Sequence, residues 1–123
     1  MNKLLIIVPA FNEEANMEAL FRNLCTPEIR SFADILLVND ASDDQTEFIA
    51  KNFDVTVVTH VFNLGYGSAL QVGYKYAVRQ GYEYVIQIDA DGQHNISNIP
   101  HIYKRLMEPD GDGNLPDIVI GSR

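Results

Sequence analysis

The sequence predicts an α/β protein with an open, mainly parallel sheet flanked by helices. Three observations predict it. Five short runs rich in Ile and Val, at 4–8, 35–38, 55–58, 84–88 and 118–120, do not alternate with polar residues, which is the pattern of strands buried on both faces. Helical patterns lie between the runs, so the chain reads strand, helix, strand and so on to a final strand. Polar or glycine-bearing segments follow each of the first four runs, at the edge where open parallel sheets bind ligands.

The first run, Leu4-Leu5-Ile6-Ile7-Val8, is too short for a signal peptide, lacks a small-residue cleavage site and leads straight to Asn12-Glu13-Glu14. Met17, Leu20, Phe21 and Leu24 then fall at i, i+3, i+4, i+7, one face of a helix. Asn12 is the expected N-cap, with Glu13 and Glu14 favourable in the first turn. After the second run, Phe48, Ile49 and Phe53 mark a shorter helix. After the third, the stretch 68–80 carries Ala69, Leu70, Gly73 and Ala77 on one side, small residues suited to close packing on a sheet, and Gly81 ends it. Ile99, Ile102, Tyr103 and Leu106 repeat the helical spacing, with Ser97 as the expected cap, and 108–116 reads as an acidic surface loop. No segment approaches the roughly 18 apolar residues of a membrane span.

A length of 123 residues fits one domain. Because the last apolar run, Ile118-Val119-Ile120, is followed at once by the terminal Gly121-Ser122-Arg123, the chain reads as part of a longer domain. Hydrophobic residues at 46% and charged residues at 21% exclude wholesale disorder. The 17 acidic and 9 basic side chains give a net charge of −8, which argues against nucleic acid or anionic lipid as a partner held by bulk charge. The one cysteine, Cys25, excludes an internal disulfide framework and fits a reducing compartment.

The segments after the runs hold the candidate chemistry. Asp89-Ala90-Asp91 leaves the fourth run with two carboxylates two residues apart, able to reach one hard cation such as Mg²⁺ or Mn²⁺; the same residues also suit an ordinary acidic turn. Asp40 leaves the second run, where a carboxylate can cap the next helix or accept hydrogen bonds from a nucleobase N–H or ribose hydroxyl. If Ser42, Asp43 or Asp44 is the cap, Asp40 is left for a ligand. Gly65-Tyr66-Gly67 fails as a dinucleotide motif, since position 70 is Leu70 and the segment follows the third run, not the first; no GxxxxGK[ST] occurs either. These glycines fit a tight turn or a close backbone approach to a ligand. His94 can serve a metal or a diphosphate or simply face solvent, while His60 and His101 lack such neighbours.

Taken in order, Ile7-Val8-Pro9-Ala10-Phe11-Asn12-Glu13-Glu14, Val38-Asn39-Asp40-Ala41-Ser42-Asp43-Asp44-Gln45-Thr46, Asn63-Leu64-Gly65-Tyr66-Gly67-Ser68-Ala69, Asp89-Ala90-Asp91-Gly92-Gln93-His94 and Gly121-Ser122-Arg123 resemble the successive motifs of family 2 glycosyltransferases. The branch with dolichyl-phosphate mannose synthases and bacterial polyprenyl-phosphate sugar transferases looks most similar. The resemblance implies a GT-A (Rossmann-like) fold, of which residues 1–123 form the nucleotide-sugar-binding part, and a UDP- or GDP-linked sugar donor. It also implies inverting transfer to a polyprenyl-phosphate or saccharide acceptor, with Mg²⁺ or Mn²⁺. By position, Pro9, Ala10 and Glu13 would line the nucleotide pocket and Asp40 would hold the base. Asp89 would reach the ribose or metal side, Asp91 would ligate the metal, and Gln93 would lie near the diphosphate or acceptor. The general base is expected beyond Arg123. A cytoplasmic site is implied, at the membrane face if later segments touch lipid, in building cell-envelope polysaccharide.

The chain departs from the family's pattern at Asn39, where aspartate is usual, at Gln45 for glycine, at Tyr66 for lysine and at Asn95-Ile96 for Asp-Pro. A non-catalytic nucleotide-sugar-binding module is the alternative reading. A nucleotidyltransferase would need a glycine-rich, basic loop after the first run, and Pro9-Ala10-Phe11-Asn12-Glu13-Glu14 has neither glycine nor a basic residue.

Overall fold

The computed structural model describes residues 2–41, 44–60, 64–89, 96, 99–106 and 118–120. The strands are β1 (Leu4–Ala10), β2 (Ala33–Asn39), β3 (Thr56–Thr59), β4 (Tyr84–Gln87) and β5 (Ile118–Ile120). The helices are α1 (Glu14–Leu24), α2 (Pro27–Arg30), α3 (Thr46–Lys51), α4 (Tyr66–Gln80) and α5 (Ile99–Leu106). The strands form one sheet in the order β3-β2-β1-β4-β5, and every pairing is parallel. The predicted α/β class and all five strands are therefore present.

β1 is the centre of the sheet, and all seven of its residues are buried. Its side chains alternate between two cores, as the pleat requires. Leu4, Ile6, Val8 and Ala10 face Met17, Leu20, Phe21 and Leu24 of α1, Ile29 of α2, Ala50 of α3 and Ile99 of α5. Leu5 and Ile7 face the other way, with Leu36, Val38 and Val85, against Ala69 and Ala77 of α4. α4 packs so closely that a Cβ added at Gly73 would lie 2.7 Å from Ile7 Cγ2 and 2.9 Å from Ile7 Cδ1. The small-residue stripe read from the sequence is this contact. Gly81 ends α4 at φ 87, in the left-handed region, with its N–H on the Ala77 and Val78 carbonyls.

One local expectation is corrected and two details are added. Asn12 does not cap α1: it turns the chain at φ 51, a left-handed position that Asn tolerates but an N-cap does not adopt. Glu13 stands at the helix start instead, its carbonyl accepting the Asn16 and Met17 N–H groups. α2 is an added helix, started by Thr26, whose side chain accepts the Ile29 N–H, and by Pro27 in its first turn. α3 does not bury Phe48, which is 63% exposed. Thr46 and Ala50, one turn apart on the helix, are its buried residues, while Ile49 and Phe53 pack at the margin of the core.

The strand order sets the site. The chain steps outward from β1 to β2 to β3, then crosses back over β1 to reach β4. The switch point therefore lies between β1 and β4, at their carboxyl ends. There the ladder stops: Ile7 pairs with Gln87, and the Ile7 carbonyl takes the Ile88 N–H at 2.9 Å. Two residues on, Pro9 has no N–H to offer on that side, so β1 and β4 part. Among the described residues no helix is long and apolar enough to cross a membrane.

Candidate functional site

The β1–α1 and β2–α3 loops are stitched together along the carboxyl edge. Thr46, fully buried at the head of α3, accepts the Glu13 N–H on Oγ1 at 3.0 Å. Its own hydroxyl and N–H both go to Asp44 Oδ1. Asp44 Oδ2 accepts the Glu14 N–H at 3.1 Å, and Glu14 Oε1 takes the Gln45 N–H at 3.3 Å in return. Burial pushes the Asp44 carboxyl up, but the bonds from Thr46 and Glu14 outweigh it and hold the group below its ordinary range. Of the three residues proposed to cap this helix, Asp44 takes its first N–H; Ser42 and Asp43 lie outside the described residues. Thr46→Val keeps the shape but removes the hydroxyl. It is expected to cost about 1–3 kcal/mol, read as a lower urea midpoint; an unchanged midpoint would show that the stitch contributes nothing.

Asp40, released from capping, is 4% exposed. Its N–H bonds to the Ala10 carbonyl at 2.8 Å, which continues the β1–β2 ladder by one residue. Its carboxylate faces the β3–α4 connection. Oδ1 accepts the Leu64 N–H and meets His60 Nδ1, both at 2.8 Å, and Oδ2 accepts the Gly65 N–H at 2.8 Å. Two consecutive amides can wrap one carboxylate because Gly65 sits at φ 94, a conformation that favours glycine. Burial pushes the Asp40 carboxyl up, yet the bonds from Leu64, His60 and Gly65 prevail and hold it below the ordinary carboxylate range. Among the described residues, three of its roughly four acceptor positions are thus filled, leaving one on Oδ2. Ala41 follows at φ 62, a strained position for a residue with a Cβ.

Asn39 is buried beside this clasp. Its amide donates to Glu47 Oε1 at 3.4 Å, and Glu47 also accepts from Thr59 Oγ1 and pairs with Lys51 Nζ at 2.8 Å. Lys51 first, then the Thr59 hydroxyl, hold the Glu47 carboxyl low. The carboxamide at 39 can donate to Glu47; an aspartate there would repel it.

Pro9 and Ala10 are the last, buried residues of β1. Glu13 begins α1, its Oε2 accepting Asn16 Nδ2 at 2.9 Å. Asp89 comes off the carboxyl end of β4, half-buried. The fold therefore brings Pro9, Ala10, Glu13, Asp40 and Asp89 to one edge. Asp91, Gln93, His94 and the segment 121–123 lie outside the described residues. Asp89 offers the hard oxygen donor that Mg²⁺ or Mn²⁺ takes; no group of three or more His, Cys, Asp or Glu side chains is gathered for a metal among the described residues.

His60 is the residue that the sequence reading passed over. It directly follows β3, at the same edge, and its side chain is 9% exposed. Its position just past a strand's carboxyl end was visible, but its partner, 20 residues earlier in the chain, was not.

Residues 5–123 match the model of the family described as "Glycosyl transferase family 2". An uncharacterized protein of Methanocaldococcus jannaschii is 34% identical over 122 residues, covering 99% of this chain and 47% of that one. A dolichol-phosphate mannosyltransferase of Pyrococcus furiosus is 32% identical over 125 residues, 98% of this chain and 33% of its own. Among solved structures, a mannosyltransferase from Pyrobaculum calidifontis, in complex with GDP-Man and Mn²⁺, superposes with a TM-score of 0.71. It is 24% identical, over 87% of this chain and 33% of that one. The chain thus spans about half the length, or less, of the relatives it matches.

Proposed function

Because the chain belongs to glycosyl transferase family 2, we propose that it forms the donor side of an enzyme that moves a sugar from a nucleotide diphospho-sugar to a lipid-phosphate or saccharide acceptor, with inversion. One observation carries the reading: the strand order brings Pro9, Ala10, Glu13, Asp40 and Asp89 to the same carboxyl edge of the sheet, where α/β sheets receive nucleotides. The Pyrococcus relative's name favours a lipid-phosphate acceptor, whose ionised oxygen attacks with little need of a general base in this part of the chain.

Each residue then has a task. Pro9 and Ala10 present the wall against which the nucleoside lies. Asp40, kept ionised, offers its remaining Oδ2 position to a base N–H. Glu13 lines the pocket rim. Asp89 faces the ribose or a divalent cation, which Asp91 would ligate, with Gln93 near the diphosphate or acceptor. A bound Mg²⁺ or Mn²⁺ would supply charge neutralisation for the departing diphosphate. The carboxylates alone would repel that diphosphate, so an acidic edge suits a cation-bridged ligand.

Titrating UDP and GDP against the chain in the presence and absence of Mn²⁺ tests this. One nucleotide is expected to bind more tightly with the metal, and Asp91→Ala is expected to lose about tenfold or more of that gain, the usual scale for a lost metal contact. Equal affinity for wild type and Asp91→Ala overturns the metal assignment. No binding of either nucleotide by the folded chain overturns the donor site.

A further inference from the structure

The histidine at the end of β3 holds the one buried side-chain polar atom among the described residues that lacks a hydrogen-bond partner: His60 Nε2. The other ring nitrogen is fully explained. Nδ1 lies 2.8 Å from Asp40 Oδ1, and an ionised carboxylate only accepts, so Nδ1 carries the proton. In the neutral ring Nε2 is then a lone-pair acceptor, fixed in direction by the Asp40 contact on the opposite side. Buried acceptors of this kind are rarely left unmet. We infer that His60 Nε2 is a specificity contact of the nucleotide site, accepting a hydrogen bond from an N–H of the donor's nucleobase.

The inference rests on the proposed donor site and names a contact within it. The surroundings select the ligand chemistry. An anion such as the diphosphate is disfavoured beside the Asp40 carboxylate, which lies against the same ring. A neutral planar heterocycle that carries an N–H, as a nucleobase does, is favoured as the donor to His60 Nε2. A Cβ added at Gly65, next to this contact, or at Gly67, in the first turn of α4, would meet no atom within 4 Å. A metal on Nε2 would need further ligating side chains, and no group of three is gathered among the described residues.

The test separates the ring's two nitrogens. His60→Asn carries an amide that reaches the Nδ1 position and can still donate to Asp40, but nothing at Nε2. His60→Gln places its amide near the Nε2 position instead. With Mg²⁺ present, His60→Asn is expected to weaken UDP or GDP, whichever binds, by about tenfold, and His60→Gln to weaken it less. Inorganic diphosphate, which has no base, should bind all three proteins alike. In ¹⁵N-histidine-labelled chain, the His60 Nε2 resonance should move when nucleotide saturates the protein and stay put with Mg²⁺ or diphosphate alone. An unmoved resonance under saturating nucleotide, or equal weakening of nucleotide and diphosphate by His60→Asn, overturns the His60 contact while leaving the donor site standing. A shift with Mg²⁺ alone overturns it in favour of a metal ligand. Failure of the wild-type chain to bind either nucleotide overturns both readings together.

Discussion

Asp40→Ala is expected to lower the stability of the folded chain by about 1–3 kcal/mol, the cost of leaving buried hydrogen-bond donors without their acceptor. The Leu64 and Gly65 N–H groups and His60 Nδ1 all lose their acceptor at once. For a domain of ordinary stability, roughly 5–15 kcal/mol, that is a large share. Urea unfolding with the slope held in view measures it. A loss under about 1 kcal/mol would mean that water replaces the carboxylate and that the clasp is not a structural element. The sign with pH follows from the direction of the shift. The folded Asp40 carboxyl titrates below its unfolded value, so its stabilisation is complete above the ordinary carboxylate range and is lost as pH falls through the depressed folded value. Wild type should therefore lose stability on acidification, and Asp40→Ala should lose less of it over the same interval.

Ile7→Ala is expected to cost about 2–5 kcal/mol, the range for emptying a fully buried aliphatic site. Gly73→Ala alone is expected to cost as well: overpacking of about 1–3 kcal/mol outweighs the gain of up to about 1 kcal/mol from replacing a helical glycine. The two losses should not add. The atoms that a Cβ at Gly73 would strike are Ile7 Cγ2, Cδ1 and Cγ1, all absent from alanine, so in the Ile7→Ala background the second substitution fills part of the cavity and gains the helix propensity without a clash. The double variant should be more stable than Ile7→Ala alone. Simple additivity in thermal or urea unfolding would show that α4 shifts outward to accept the methyl.

The sequence made the sheet readable because β1, β2 and β4 are buried on both faces and so carry unbroken apolar runs. α4 was readable because only small residues can approach β1 as closely as Gly73 does. What escaped was set by contacts across the fold. Phe48 looks like a core residue by composition, yet the buried face of α3 is Thr46 and Ala50, and Phe48 is left exposed. Asn12 has the chemistry of a cap and is used as a turn. The four-residue α2 carries a Thr-Pro start signal but no periodicity to support it. At the site, the motif segments themselves were legible, since their order follows the strand ends. The pairing of Asp40 with His60 was not, because nothing in the spacing of residues from two different loops says that they meet.

The central position of β1 also dictates the order in which the molecule can be assembled as it is synthesised. Its β2 neighbour arrives with residue 33, but its β4 neighbour only with residue 84. Throughout that interval a nascent chain with β1, β2 and β3 in place presents the β4-facing edge of β1, an apolar and unpaired strand, to its surroundings. The hazard of mispairing with another chain is thus concentrated in a defined window of translation, and passes from β1 to β4 when β4 docks, until β5 pairs with it. Substitutions that delay docking of β4 are expected to reduce soluble yield more than they reduce the stability of the finished fold.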